Sequence, residues 1–70
     1  MESTIAVEFN GKPLAVPRGT TLTQLLDMAE MRSRLVAIEV NLEIVPREQH
    51  AEYAIRDGDR IEAVTLVGGG

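Results

Sequence analysis

The sequence ends in three consecutive glycines, Gly68, Gly69 and Gly70, which directly follow the apolar run 61–67. Glycine has no Cβ and adopts backbone conformations that other residues avoid, so a glycine segment can enter a narrow slot. Three extended residues can carry a terminal carboxylate roughly 10 Å beyond a folded body. We therefore predict that residues 68–70 form a flexible tail whose reactive group is the α-carboxylate of Gly70. The alternative is an ordinary frayed terminus.

The side chains supply no self-sufficient catalytic or metal-binding constellation. The sequence contains no cysteine, which excludes thiolate metal sites and cysteine nucleophiles, and its single histidine, His50, has no second histidine to complete a site. Asp57 and Asp59 flank Gly58, an arrangement typical of a turn in which aspartates bond to nearby backbone amides. Glycine-rich phosphate loops are absent from the sequence. We expect no catalytic residue, no bound metal and no bound cofactor.

A terminal carboxylate becomes useful only when another enzyme activates it. The free carboxylate is a poor acyl donor because its oxygen is a poor leaving group. Transfer of AMP from ATP at a partner's active site would make a mixed anhydride, which a sulfur nucleophile can convert to a thiocarboxylate. Such covalent activation divides one difficult step into two easier ones. The sequence therefore favours a protein substrate over an enzyme.

The composition is that of a small acidic domain. Seventy residues suit one domain, which we place at residues 1–67, and Phe9 and Tyr53 are the only aromatic residues. The net charge is −4 and the basic residues are scattered, which argues against a nucleic-acid surface and favours a basic protein partner. No secretory signal is visible, and no apolar stretch approaches the ~20 residues that cross a bilayer. We expect a cytoplasmic monomer without membrane association.

The N-terminal third predicts a β-hairpin. Apolar residues alternate with others over residues 5–9, which is the period of a half-buried strand. Asn10 and Gly11 then tolerate the positive φ angles of a two-residue hairpin turn. The second strand covers 12–16, and because Pro13 cannot donate a backbone hydrogen bond, we predict that it lies at the edge of the sheet.

One amphipathic helix follows the hairpin. Thr21 and Gln24 have the spacing of a capping box, so the helix is predicted to begin at Leu22. We expect it to end near Arg32 or Ser33, where positive charge suits the helix C-terminus. Four residues at helical spacing form the apolar stripe that should pack on the sheet: Leu22, Leu25, Leu26 and Ala29.

Further strands are predicted at 35–40, 44–45 and 61–67, with a single helical turn possible within 47–54. The order of strand, strand, helix, strand, short strand and strand is that of an α+β domain in which one helix covers one face of the sheet. The first of these strands returns to the second through the reversal 41–43. All strands would therefore share one core beneath the helix.

The last strand has two chemically different sides. Ile61 and Ala63 are expected to face the helix, so alternation places Val64 and Leu66 on the opposite, open face beside Glu62. Exposed apolar residues on that face would indicate a surface that binds a protein partner. The alternative is that loops cover them.

The chain resembles the ThiS family of sulfur carriers over essentially its whole length. The similarity lies in residues 7–12 (VEFNGK), 36–41 (VAIEVN), 44–47 (IVPR) and 57–62 (DGDRIE), followed by the terminal glycines. The resemblance implies a β-grasp (ubiquitin-like) fold, a mixed sheet of about five strands with the first and last strands parallel at its centre. By position, it implies that Gly70 is the modified residue and Gly69 its required neighbour.

The resemblance also implies a set of partner enzymes. A ThiF-type adenylyltransferase would use ATP to activate the terminal glycine, a cysteine desulfurase would supply the sulfur, and thiazole synthase would receive it for thiamine biosynthesis. Leu42 departs from the family, which often has glycine there, and leaves open whether that reversal uses a different turn. The alternatives are the sulfur-carrier subunit of molybdopterin synthase, a β-grasp interaction module with no covalent role, and a modifier ligated to protein lysines.

Overall fold

The computed structural model describes residues 3–31 and 35–66. The elements occur in the predicted order and are β1 (Thr4–Phe9), β2 (Lys12–Pro17), α1 (Leu22–Met28), β3 (Val36–Val40), β4 (Glu43–Val45), a short 3₁₀ helix (Arg47–Gln49) and β5 (Arg60–Thr65). The single helical turn expected within 47–54 is this 3₁₀ helix. None of the helices in the described part of the chain has the length and apolarity that a bilayer span needs.

The strands form one mixed five-stranded sheet in the order β2-β1-β5-β3-β4. β1 and β5 are parallel, whereas the β1–β2, β3–β5 and β3–β4 pairs are antiparallel. β2 lies at an edge, as Pro13 predicted. The α+β class and the mixed sheet with parallel first and last strands near its centre are therefore confirmed.

The core lies between the helix and one face of the sheet. From α1, Leu22 and Leu25 are fully buried and Leu26 nearly so. They belong to one apolar cluster with Ile38 of β3 and Ile61 of β5, which are also fully buried. Three residues of the predicted apolar stripe are therefore confirmed, whereas Ala29 follows the end of the helix and is only partly buried. The inward face of the last strand is confirmed by the burial of Ile61 and Ala63.

The helix begins where the capping box predicted. The Thr21 hydroxyl accepts a hydrogen bond from the Gln24 backbone N–H at 3.2 Å, and the Gln24 side-chain oxygen accepts one from the Thr21 N–H at 2.9 Å. Both residues are in the first turn, where backbone N–H groups have no partner within the helix. The local sequence therefore determines this boundary.

The segment that follows the 3₁₀ helix satisfies the other N–H groups of the first turn. Leu22 donates to the carbonyl of Tyr53 at 3.1 Å, and Thr23 donates to the carbonyl of His50 at 3.2 Å. The His50 ring is buried, with its Nε2 atom 2.9 Å from the carbonyl oxygen of Val45. His50 therefore ties the 3₁₀ segment to β4 and to the start of the helix, which is a structural role.

The helix ends at Met28, so the predicted end near Arg32 or Ser33 is wrong. Glu30 adopts a φ of 60°, in the left-handed region that cannot continue a right-handed helix. The expected interaction of Arg32 and Arg34 with the helix dipole falls outside the described residues. The apolar spacing continues past the end of the helix because Ala29 and Met31 belong to the turn that stops the helix, and Met31 also packs against the core.

That turn is a Schellman motif built without glycine. Met31 donates its backbone N–H to the carbonyl of Leu26 at 2.8 Å, and Glu30 donates to the carbonyl of Asp27 at 3.1 Å. Met31 then packs against the core. The packing of the partly buried Met31 side chain offsets the cost of a left-handed glutamate, a gain that local sequence propensities do not reveal.

The β3–β4 hairpin turns at Asn41 and Leu42, where the family often has glycine at the second position. Asn41 and Leu42 have φ angles of 53° and 72°, the signs required by a type I′ turn, and Val40 pairs with Glu43 across it. The reversal therefore has the geometry that glycine would favour, and Leu42 adopts it with an unfavourable Cβ. Its side chain is 75% exposed, so packing contributes little in return.

Replacing Leu42 with glycine should raise the free energy of unfolding by about 1 kcal/mol, because it removes the steric cost of a left-handed leucine. Chemical denaturation of the two proteins measures this difference. Leu42→Ala is the matched control, since it removes the exposed side chain but retains the Cβ, and it should change stability little. An equal gain from alanine and glycine would contradict a backbone origin of the strain.

Candidate functional site

The candidate site is the end of β5 from which the glycine tail continues. Gly68, Gly69 and Gly70 lie outside the described residues, so the modification of Gly70 remains a prediction. β5 occupies the centre of the sheet between β1 and β3. β1 pairs with β5 only at Arg60 and Ile61, whereas β3 pairs with it from Ile61 to Thr65, so the residues nearest the tail are paired with β3.

Asn10 anchors the middle of β5 after β1 has ended at Phe9. Its side-chain oxygen accepts a hydrogen bond from the Ala63 backbone N–H at 2.8 Å, and its side-chain nitrogen donates to the Ala63 carbonyl at 3.3 Å. One amide side chain thus continues the pairing of β1 with β5 beyond the end of β1. The sequence indicated only the turn role of Asn10, because its second role depends on contact with a residue 53 positions away.

Substitution of Asn10 by glycine separates these two roles. Glycine retains the tolerance of the turn for positive φ but removes both hydrogen bonds to Ala63, so we expect a loss of about 1–3 kcal/mol in the free energy of unfolding. Thermal or chemical denaturation measures it. Gly11→Ala is the complementary variant, because it strains the turn at a φ of 83° and leaves the Asn10 amide in place. Wild-type stability of Asn10→Gly would show that the amide does not anchor β5.

The start of β5 is held by a second asparagine and by the aspartates of the preceding turn. Asn41 accepts a hydrogen bond from the Arg60 backbone N–H and donates to a carboxylate oxygen of Asp59, both at 3.0 Å. The Asp57 carboxylate accepts from the Ala6 backbone N–H at 2.8 Å. The structural interpretation of both aspartates is therefore confirmed, and these contacts align the strand that leads to the tail.

The predicted partner-binding residues lie on the sheet face opposite the helix. Val64 is 60% exposed and Leu66 is 48% exposed. Glu62, two residues before Val64 on the same face of β5, is half-buried. Within the described residues, loops do not cover the two apolar side chains, so the alternative of a covered face is wrong. Their role in binding a partner remains a prediction.

The structure adds residues from β3 and β4, and Leu35 just before β3, that sequence reasoning did not assign to this face. The resulting surface, here called the open face, consists of Leu35, Ala37, Glu39, Ile44, Glu62, Val64 and Leu66. Leu35 and Ile44 are half or more exposed, and the Leu35 carbonyl accepts a hydrogen bond from the Leu66 N–H at 2.7 Å. Alternation alone could have placed Glu39 and Ile44 on one face of their strands, but only the register brings them beside Glu62.

Among residues 3–31 and 35–66, no group of three or more histidine, cysteine, aspartate or glutamate side chains is close enough to hold a metal ion. The one salt bridge between described residues on this side of the sheet joins Arg60 to Glu8 at 3.4 Å, and both side chains are about half exposed. Such an exposed pair contributes little stability. The chemical character of the site therefore comes from apolar and acidic groups beside a glycine tail.

Comparison with known proteins identifies relatives over nearly the whole chain. Residues 4–70 match the model of the ThiS family. The sulfur carrier protein ThiS of Escherichia coli (strain K12) is 36% identical over 62 residues, which cover 89% of this chain and 94% of that protein. A crystal structure of the thiamine biosynthesis protein (ThiS) from Geobacter metallireducens superposes with a TM-score of 0.80 at 30% identity, covering 94% of this chain and 100% of that one.

A longer relative places a similar segment within an enzyme. The thiazole synthase of Paramagnetospirillum magneticum (strain ATCC 700264 / AMB-1) is 43% identical over 62 residues, which are 89% of this chain but 19% of that protein. The match to the family model and the full-length similarity to ThiS proteins agree with the β-grasp architecture described above. The chain therefore belongs to the ThiS family, whose members are sulfur carriers of thiamine biosynthesis on which partner enzymes act.

Proposed function

We propose that the α-carboxylate of Gly70 is the group on which this ThiS family member carries sulfur. The carboxylate oxygen attacks the α-phosphorus of ATP, pyrophosphate leaves, and an acyl adenylate forms. A sulfur nucleophile, with hydrosulfide as the simplest form, then attacks the acyl carbon and displaces AMP. The chain now ends in a thiocarboxylate. This group donates its sulfur more readily than a carboxylate donates its oxygen.

The enzymes acting on this tail would be a ThiF-type adenylyltransferase that binds the ATP, a cysteine desulfurase as sulfur source, and thiazole synthase as acceptor. The observation that carries the last assignment is the thiazole synthase of P. magneticum, which contains a segment similar to 89% of this chain. A carrier segment and a synthase within one polypeptide support a direct association of the two. This favours the thiazole pathway over the molybdopterin alternative.

The folded domain would supply the specificity that three glycines lack. Val64 and Leu66 offer exposed apolar contacts directly before the tail, and Glu62 offers a charge that orients the encounter. In protein interfaces a few buried residues supply most of the binding energy, whereas charges act mainly on association rate and salt dependence. The adenylyltransferase would therefore bind the open face while its active site holds the tail.

Reconstitution of sulfur transfer tests this function. The chain is incubated with the adenylyltransferase of the same organism, ATP, a cysteine desulfurase, cysteine and an excess of a thiol reductant, which releases the persulfide sulfur of the desulfurase as hydrosulfide. Intact mass spectrometry follows the replacement of one oxygen by one sulfur. Tandem mass spectrometry should place the sulfur on Gly70, and omission of ATP should prevent the change. Isopeptide linkage to protein lysines without a thiocarboxylate would instead support the modifier alternative, and no reaction at all would support a non-covalent module.

A further inference from the structure

Two glutamates face each other at the centre of the open face. Glu39 of β3 and Glu62 of β5 are direct partners in the antiparallel register, and both are half-buried. Directly opposed residues in such a pair have Cβ atoms about 4.5–5.5 Å apart, a spacing at which like charges repel. Neither carboxylate makes a hydrogen bond or an ion pair with another described residue. The described part of the domain therefore holds two acidic side chains directly opposite each other on neighbouring strands, neither of them with a bonding partner.

Apolar residues flank the pair on two sides. Ile44 lies opposite Glu39 on one side, and Val64 follows Glu62 along β5 while pairing with Ala37 of β3. Among the described residues, Arg60 is a basic residue on this side of β5, and it already pairs with Glu8. Two carboxylates thus lie beside exposed apolar side chains.

The geometry favours a side-chain cation over a metal ion. Within the described residues no third ligand stands near enough to complete a metal site, and a divalent ion on two carboxylates would keep most of its water shell. An arginine guanidinium suits the arrangement better, since its planar fork bonds two carboxylates and its faces pack against apolar groups. The net charge of −4 further favours a basic partner.

We propose that an arginine of the adenylyltransferase binds between Glu39 and Glu62, with Ile44 and Val64 packing beside it. This inference rests on the proposed function and names the contact by which the activating enzyme recognises the folded domain. It assigns Glu39, which lies far from the tail in sequence, to partner recognition. The same pair that weakens the free domain becomes favourable when the guanidinium neutralises it.

The first consequence is a gain in stability when either charge is removed. Glu39→Gln and Glu62→Gln should each raise the Tm of the free domain by about 1–6 °C, because each removes the same cross-strand repulsion. The double variant should be hardly more stable than either single one, since the shared repulsion can be relieved only once. Glu52→Gln is the matched control, because it removes one exposed carboxylate outside the sheet and should leave the Tm unchanged.

The second consequence is a loss of binding in the same variants. Surface-immobilised adenylyltransferase should bind Glu39→Gln and Glu62→Gln at least about fivefold more weakly than the wild type, chiefly at low salt, and Glu52→Gln as well as the wild type. Val64→Asp places a third acid in the patch and should weaken binding further. Glu52→Gln keeps the glycine tail and lies outside the open face, so its adenylation should match that of the wild type.

Three results would overturn the inference. Wild-type affinity of the folded Glu39→Gln, Glu62→Gln double variant would show that no cation of the enzyme binds there. A wild-type dimer in sedimentation equilibrium that Glu62→Lys dissociates would assign the face to a second copy of the chain. A Tm that falls in both glutamine variants would show that the glutamates do not repel. Loss of adenylation on removal of the tail would still stand in each case, so the proposed function fails or survives separately.

Discussion

Deleting Gly70 is expected to abolish ATP–pyrophosphate exchange by the cognate adenylyltransferase while leaving the fold intact. The truncated tail withdraws the carboxylate by one residue, about 3.3–3.6 Å, and displacements of roughly 1 Å already cost about a hundredfold in well-aligned reactions. Among the described residues, the core cluster extends along β5 no further than Ala63, so we expect the free energy of unfolding to change by less than about 0.5 kcal/mol. Exchange assays and melting curves on the same preparation measure both quantities.

The opposite change supplies the control for tail length. Adding one alanine after Gly70 should block exchange as fully, because the added residue moves the carboxylate and brings a Cβ into a slot that glycine enters freely. Removing Ser3, an exposed residue before β1, shortens the chain by the same amount and should not affect exchange. Undiminished exchange by the chain lacking Gly70 would contradict the sulfur-carrier role of that residue.

Leu25→Ala should have the largest effect on stability, with a loss of about 3–5 kcal/mol in the free energy of unfolding. Leu25 is fully buried, and it belongs to the same apolar cluster as Ile38 and Ile61 of the sheet. Small domains are stable by only about 5–15 kcal/mol, so the variant would be partly unfolded near 37 °C. Urea denaturation monitored by circular dichroism provides the measurement.

Its neighbour in the same helix provides the control. Gln24→Ala keeps the chain length and improves intrinsic helix propensity, but it removes the Gln24 half of the capping box, so a loss of no more than about 1 kcal/mol is expected. The difference between the two variants isolates core packing from helix formation. A larger loss from Gln24→Ala than from Leu25→Ala would contradict the orientation of the helix on the sheet.

Several features could be predicted because they depend on residues close together in the chain. The Asn10-Gly11 turn needs only two residues that tolerate positive φ, and the helix start needs only Thr21 and Gln24 at the right spacing. The exposure of Val64 and Leu66 followed from strand alternation once Ile61 was assigned to the core. In each case the physical cause acts within a few residues.

The end of the helix could not be predicted in the same way. The spacing of apolar residues continues beyond Met28, and Glu30 carries no signal that it adopts a left-handed conformation. What stops the helix is the packing of Met31 onto the core, together with its hydrogen bond to Leu26. The free energy gained by packing Met31 exists only when the sheet is folded. Local helix propensity therefore does not predict where the helix ends.

By itself, the sequence determined the α+β class, the strand order along the chain, the ThiS-like pattern and the glycine tail, because composition, periodicity and turn residues act locally. Only the tertiary structure decided which strands lie side by side, and with them the pairing of Glu39 with Glu62 and the bonds from Asn10 to Ala63. Register between distant strands depends on burying one common core, and a shift of one residue would turn every side chain to the other face. The candidate partner surface could therefore be assembled only from the tertiary structure, whereas the glycine tail could be predicted from the sequence.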